Sequence, residues 1–122
     1  MQKLPNTNNV SNVLYNYGER KFNVIHAQLQ MQCSDLKAHL LALHVIDDPI
    51  CTCQTGIEDT SHFFFHCPLY YTYRLNLMNS VNSVSNFEIN VLLYGDIELD
   101  LEANKKIFQA VHTYIKATGR FL

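Results

Sequence analysis

Charge is scarce in this chain. Aspartate, glutamate, lysine and arginine make up 16% of its 122 residues, against about a quarter in an average soluble domain. So low a share fits a unit that packs part of its surface on something larger. The net charge of −2 excludes a generally basic nucleic-acid binder, because phosphate neutralisation supplies most non-specific affinity. No apolar run approaches the ~18–20 residues of a membrane span. Nothing reads as a secretory or targeting segment, so an intracellular setting with reduced thiols is expected. Glycine-rich phosphate loops and nucleophile motifs are also missing. Neither an enzyme nor a small-molecule binder is expected from this chain on its own.

What the chain does have is cysteine and histidine gathered in one stretch. Residues 51–67 read CTCQTGIEDTSHFFFHC and hold three of the four cysteines and two of the six histidines. Cys51, Cys53, His62 and Cys67 form a Cys3His set, the donor combination of a closed tetrahedral structural zinc site. One Zn2+ is expected there, with a folding role rather than a catalytic one. Gly56 falls between the ligand pairs, where the backbone reverses and left-handed geometry is useful. Thr60 and Ser61 are placed to start a helical turn carrying His62. Two other readings compete. Buried free thiols behave as small hydrophobes, and a disulfide is conceivable, although Cys51 and Cys53 stand too close to pair with each other. His66 lies beside Cys67 and would strain a site that used both, so His62 is preferred.

The run Cys51-x-Cys53, Glu58-Asp59-x-x-His62, Cys67-Pro68-x-Tyr70-x-x-x-Arg74 resembles the zinc-binding C-terminal region of non-LTR retrotransposon reverse transcriptases. The likeness extends upstream through His26-Ala27-Gln28-Leu29 and Cys33 to Leu40. Downstream it takes in Leu92-Leu93-Tyr94-Gly95 and the stretch from Asn104-Lys105 to Arg120-Phe121, covering roughly residues 14–122. That region carries glycine directly after the second cysteine, whereas here Gln54 and Thr55 precede Gly56. The resemblance implies a nuclear setting and a parent enzyme that copies RNA into DNA. Such a tail would help to hold template RNA or target DNA, and the rest of the polyprotein would be its partner.

Residues 1–13 are polar and asparagine-rich and read as a flexible leader, followed by one domain over 14–122. Phe22, Ile25 and Leu29 recur at helical spacing. Ser34 suits an N-cap for a second helix over Leu36, Leu40 and Leu43 that stops before Asp48-Pro49. Cys33, in the break, reads as a buried thiol. Asp47-Asp48 is not a polymerase metal pair, since Pro49 cannot join the strand ladder such a pair needs. Pro68 suits the start of a helix carrying Leu69, Tyr73, Leu77 and Val81, before a polar linker over Asn79–Asn86. Asn90 suits the cap of a short helix over Val91–Tyr94 ended by Gly95. Asp100 suits the cap of a last helix with Ile107, Phe108, Val111 and Ile115 inward, closed by Gly119 with Lys116 and Arg120 at its end. His44 and His112 read as structural histidines on helices. The expected fold is mostly α, a small bundle of four or five short helices stapled by the Cys3His zinc site.

Two functions follow. In the first, the module holds RNA or DNA weakly and without sequence preference. Tyr70 would face outward to stack a base, and Arg74, one turn on, would hold a phosphate, with Arg20, Lys21 and Lys37 adding charge. In the second, it docks on the polymerase body and touches no nucleic acid. Arg74 then ties down the zinc loop, Tyr70 covers the arginine stem, and Phe63-Phe64-Phe65 pack around the metal.

Overall fold

In the computed structural model, which describes residues 20–121, the apolar spacing at the start of the domain does form a helix. It is α1 (Arg20–Gln30), with Phe22, Ile25, His26 and Leu29 buried. The expected leader lies outside the described residues. Among those residues there are four further α-helices: α2 (Lys37–Ala42), α3 (Tyr71–Asn82), α4 (Ile89–Tyr94) and α5 (Leu101–Thr118). A π-helical segment, His62–His66, and a 3₁₀ turn, Pro68–Tyr70, lie between α2 and α3. The described residues form no strand, only an antiparallel bridge between Ile50 and Ile57. The fold is thus mostly helical, with a Cys3His cluster positioned to bind one metal.

The longest helix, α5, organises the rest by packing on α3, α1 and α4. Its start is as expected: the Asp100 carboxylate accepts the Ala103 N–H at 2.8 Å. Its end is too, since Gly119 takes the left-handed conformation at φ 66. Ile107, Phe108, Val111 and Ile115 are all buried, together with Asn104, His112 and Tyr114. Asn104 survives burial because its amide donates to the carbonyls of Asp96 and Asp100 at 2.9 and 3.0 Å.

Several expected details differ, each for a local reason. α1 ends on Gln32 at φ 56, with Cys33 N–H donating back to Gln28 O and Gln32 N–H to Leu29 O. Cys33 is the residue that closes this Schellman turn, and it is exposed rather than buried. α2 is shorter than expected and begins at Lys37. Ser34 accepts the Leu36 N–H at 3.1 Å, and the helix's own first N–H groups are taken by Glu58. Lys37 N–H reaches the Glu58 carboxylate at 2.9 Å, and Ala38 N–H reaches its carbonyl at 3.0 Å. A second Schellman closure, Val45 to Leu40 and His44 to Leu41, ends α2 with His44 at φ 59. His44 is therefore an exposed terminator, Leu43 is 61% exposed, and the buried side chain of α2 is His39. Asp48 does form a turn exit, accepting the Ile50 N–H at 3.0 Å.

The inward face of α3 also differs. Leu69 and Tyr73 are exposed, while Tyr70, Arg74, Leu77 and Val81 are buried. At 3.6 residues per turn a strict four-residue step drifts by about 40° each time, whereas steps of four, three and four stay on one face. The helix persists through Asn82, so the linker is shorter than its composition suggests, and Val81 is fully buried. α4 starts at Ile89, one residue ahead of Asn90, and Gly95 ends it as expected.

Candidate metal centre

The first two ligands sit on a small hairpin. Across it Cys51 N–H donates to Gly56 O at 2.9 Å, and Gln54 N–H donates back to Cys51 O at 2.8 Å. The left-handed residue of this turn is Gln54, at φ 62, and not Gly56. Gly56 lies against His62, where an added Cβ would stand 3.6 Å from Nδ1, an ordinary contact. Glutamine in left-handed geometry costs roughly 1 kcal/mol or more, partly offset by the greater unfolded-state entropy of glycine. Gln54→Gly is therefore expected to raise the melting temperature by a few degrees, corresponding to about 0.5 kcal/mol. A lower melting temperature with metal retained would show that the Gln54 side chain supports the turn.

The other two ligands come from one turn of unusual helix. The Asp59 carboxylate, rather than Thr60 or Ser61, caps it by accepting the His62 N–H at 2.7 Å. Cys67 N–H then closes back on His62 O at 2.8 Å. A five-residue closure brings residues five apart towards a common side, which an α-helix would separate. His62 and Cys67 thus face the hairpin, while Phe63 and Phe64 are fully buried in the core. Phe63 packs edge-on against Tyr70 and Tyr114, with ring centroids 5.5 and 5.2 Å away. The Tyr114 hydroxyl donates to the Phe63 carbonyl. Phe65 is half-buried and packs edge-on against Phe87.

One ligand atom from each of Cys51, Cys53, His62 and Cys67 lies within 4.8 Å of the others. The Cys51 and Cys67 sulfurs are 3.8 Å apart, and Cys53 Sγ stands 3.2 Å from His62 Nε2. Three of the four residues are buried; Cys53 is partly exposed. His66 is exposed and outside the group. The environments of the thiols differ. The Thr55 hydroxyl, 3.1 Å from Cys53 Sγ, leads the interactions that bring that thiol down to about 6, and the Thr55 N–H adds a bond at 3.5 Å. Burial pushes Cys67 up to about 12. A metal held here must displace protons, so its affinity falls with falling pH.

The residues expected to meet nucleic acid are placed differently from one another. Tyr70 and Arg74 do not face outward: they are 8% and 9% exposed. Arg74 Nε–H donates to Phe64 O at 3.0 Å and its terminal N–H to Cys67 O at 2.5 Å, bracing the chain on both sides of the last ligand. Lys37 donates its ammonium to Ile50 O at 2.9 Å. Arg20 and Lys21 are exposed.

Sequence reasoning missed the support beneath the cluster. Glu58 is 2% exposed and takes a two-pronged grip from Arg120 at 2.7 and 2.8 Å. Burial works to raise its carboxyl, but the Arg120 hydrogen bonds, the Lys37 N–H and the two cations hold it below the ordinary carboxylate range. Arg120 was expected only to complement the end of α5. Nothing in one sequence announces a pairing across 62 positions. Comparison with protein-family models, with curated proteins and with solved structures gives no match.

Proposed function

We propose that this chain is a non-catalytic, zinc-stapled module that docks on a larger protein body. Zinc is the metal that best suits the donor set. With Zn–S near 2.3 Å and Zn–N near 2.0–2.1 Å, a tetrahedron has edges of about 3.8 Å between sulfurs and about 3.6 Å between sulfur and nitrogen. The Cys51–Cys67 separation of 3.8 Å already has the first value, and the Cys53–His62 separation of 3.2 Å is a few tenths short of the second. Four protein donors fill such a site, so bound zinc would supply folding free energy and leave no position for substrate.

The observation that carries docking over nucleic-acid binding is the direction of Arg74. The guanidinium turns inward to the Phe64 and Cys67 carbonyls and the residue is 9% exposed, so it presents little to a phosphate. Buried Tyr70 likewise offers no face to a base. Exposed apolar side chains are present from α2 to the hairpin: Leu41, Leu43, Val45, Ile50 and Ile57 are between 37% and 64% exposed. By the resemblance to reverse-transcriptase tails, the covering partner would be the polymerase body. A second reading, weak and non-specific RNA or DNA holding, is favoured by Arg20 and Lys21, which stand exposed together on the first turn of α1. No helix among the described residues is long and apolar enough to cross a membrane.

Titration of labelled single-stranded RNA and DNA distinguishes the two. Docking predicts no binding at low or moderate salt. Salt-sensitive binding in the ~10⁻⁴–10⁻⁶ M range of non-specific contacts, abolished by Arg20→Ala and Lys21→Ala, would replace docking with the second reading. Tyr70→Ala and Arg74→Ala should lower stability rather than remove a specific contact.

A further inference from the structure

Next to the metal cluster lies a charge that a thiolate-rich site should avoid. The Glu58 carboxylate is buried, with Oε2 4.0 Å from Cys51 Sγ. Replacing three thiol protons by one dication leaves the site one unit more negative, so an uncompensated carboxylate at that distance would oppose metal binding. The compensation comes from the other end of the domain. Arg120, just past the Gly119 that closes α5, sends Nε–H to Glu58 Oε2 at 2.8 Å and Nη2–H to Oε1 at 2.7 Å. The same Nη2 donates to Asp35 O at 2.8 Å. Lys37 N–H completes the carboxylate's shell at 2.9 Å.

Geometry makes this more than a fastener. Glu58 belongs to the hairpin that carries Cys51, since its N–H donates to Pro49 O at 2.9 Å and its neighbour Ile57 pairs with Ile50. Its other neighbour, Asp59, caps the turn that carries His62. One residue therefore touches the supports of both ligand pairs. Phe121, next to Arg120, sets its ring 5.4 Å from that of Phe63, edge-on, so the end of the described chain is seated on the same turn.

We propose that Arg120 is a positioning residue of the metal centre: by neutralising Glu58 beside Cys51 it sets the site's affinity for its metal. The inference rests on the Cys3His site being a metal site, and it adds that the residues after α5 regulate how tightly that metal is held. A bound metal and a seated C-terminal segment then favour one another, because each is stabilised by the same carboxylate being neutralised.

The test is zinc affinity at fixed pH near 7, measured on the full chain by competition with a chromophoric chelator, with circular dichroism confirming that each variant is folded. Wild type and Cys53→Ser come first, because a wild type that binds no zinc overturns the site itself and this inference with it. Arg120→Met removes both guanidinium hydrogen bonds from the buried carboxylate beside Cys51, and zinc affinity is expected to fall roughly 10- to 100-fold, the range for loss of an outer partner. Arg120→Lys keeps the charge and should recover most of that loss. Glu58→Gln breaks the same ion pair but removes the negative charge, so affinity should hold or increase. Opposite effects of Arg120→Met and Glu58→Gln are what a purely structural brace would not produce. If both weaken zinc alike, or if Arg120→Met binds like wild type, only this inference is overturned and the metal site stands. If Arg120→Met does not fold with zinc, Arg120→Lys and Glu58→Gln decide: affinity lost in both refutes the proposal, and affinity held in both supports it.

Discussion

Metal removal is expected to unfold the centre of this domain rather than loosen a loop. The four ligand residues are divided between a hairpin and a π-helical turn, and a metal held by all four would join the two directly. Phe63 and Phe64 follow His62 directly and are fully buried, so displacing the turn withdraws two of the largest side chains from the core. Structural zinc contributes on the order of 10 kcal/mol to small metal-dependent units, comparable with the whole stability of a domain this size. Elemental analysis should find one zinc per chain, lost in Cys53→Ser and His62→Ala and kept in His66→Ala. Chelation followed by far-UV circular dichroism should collapse the helical signal and abolish the cooperative melt. The same spectrum and melting temperature with and without EDTA would mean that α1, α3 and α5 hold without the metal. Full zinc retention by Cys53→Ser or His62→Ala would remove either residue from the ligand set.

The second large effect should appear in acid, at the far side of the core. His26 and His112 meet between α1 and α5 with Nδ1 and Nε2 3.0 Å apart. The other His26 nitrogen, Nε2, donates to Leu92 O at 2.9 Å. A carbonyl can only accept, so His26 carries its proton on Nε2 and its Nδ1 accepts from His112. Both rings are neutral in this arrangement. Burial, and then the second imidazole, brings His26 down to about 3, and burial brings His112 down to about 4. Above about pH 6.5 the folded and unfolded chains are alike at these sites. Below it the unfolded chain takes up protons that the folded chain refuses, so stability falls as the pH drops from about 6.5 towards about 4 and then 3. His26 alone is expected to remove roughly 3 kcal/mol between pH 6.5 and 4. Denaturant melts over that range with zinc in excess should show the loss. His112→Gln keeps an N–H for His26 and removes one titrating ring, and its pH slope should be clearly shallower. A slope identical to wild type would show that the His112 ring contributes nothing to the acid sensitivity.

Much of this structure was legible from residue types and spacing alone. Helical periodicity marked α1 and α5, and Asp100 and Gly119 marked both ends of α5, because caps and left-handed terminators act within one turn of chain. Three thiols and an imidazole within 17 residues marked the group that the fold brings together as a possible metal site, since few other uses of cysteine produce that pattern. The choice of His62 over His66 was also local: only one of them can reach back from beside Cys67 without strain. These features depend on neighbours a few positions away, and a sequence displays such neighbours directly.

What tertiary structure alone decided lies at longer range. The inward face of α3 follows steps of four, three and four, so Tyr70 and Arg74 went inward where a strict four-residue count placed Leu69 and Tyr73. The N-terminus of α2 took its cap from Glu58, 21 positions away, and not from Ser34. Cys33 and His44 are exposed at turns that close in left-handed geometry on Gln32 and His44, residues that do not advertise it. The pairs Glu58–Arg120 and His26–His112 join residues 62 and 86 positions apart. Each depends on which polar groups remain without water once the helices close. Desolvation is a property of the assembled core, and it makes a buried carboxylate or imidazole choose a partner regardless of distance along the chain.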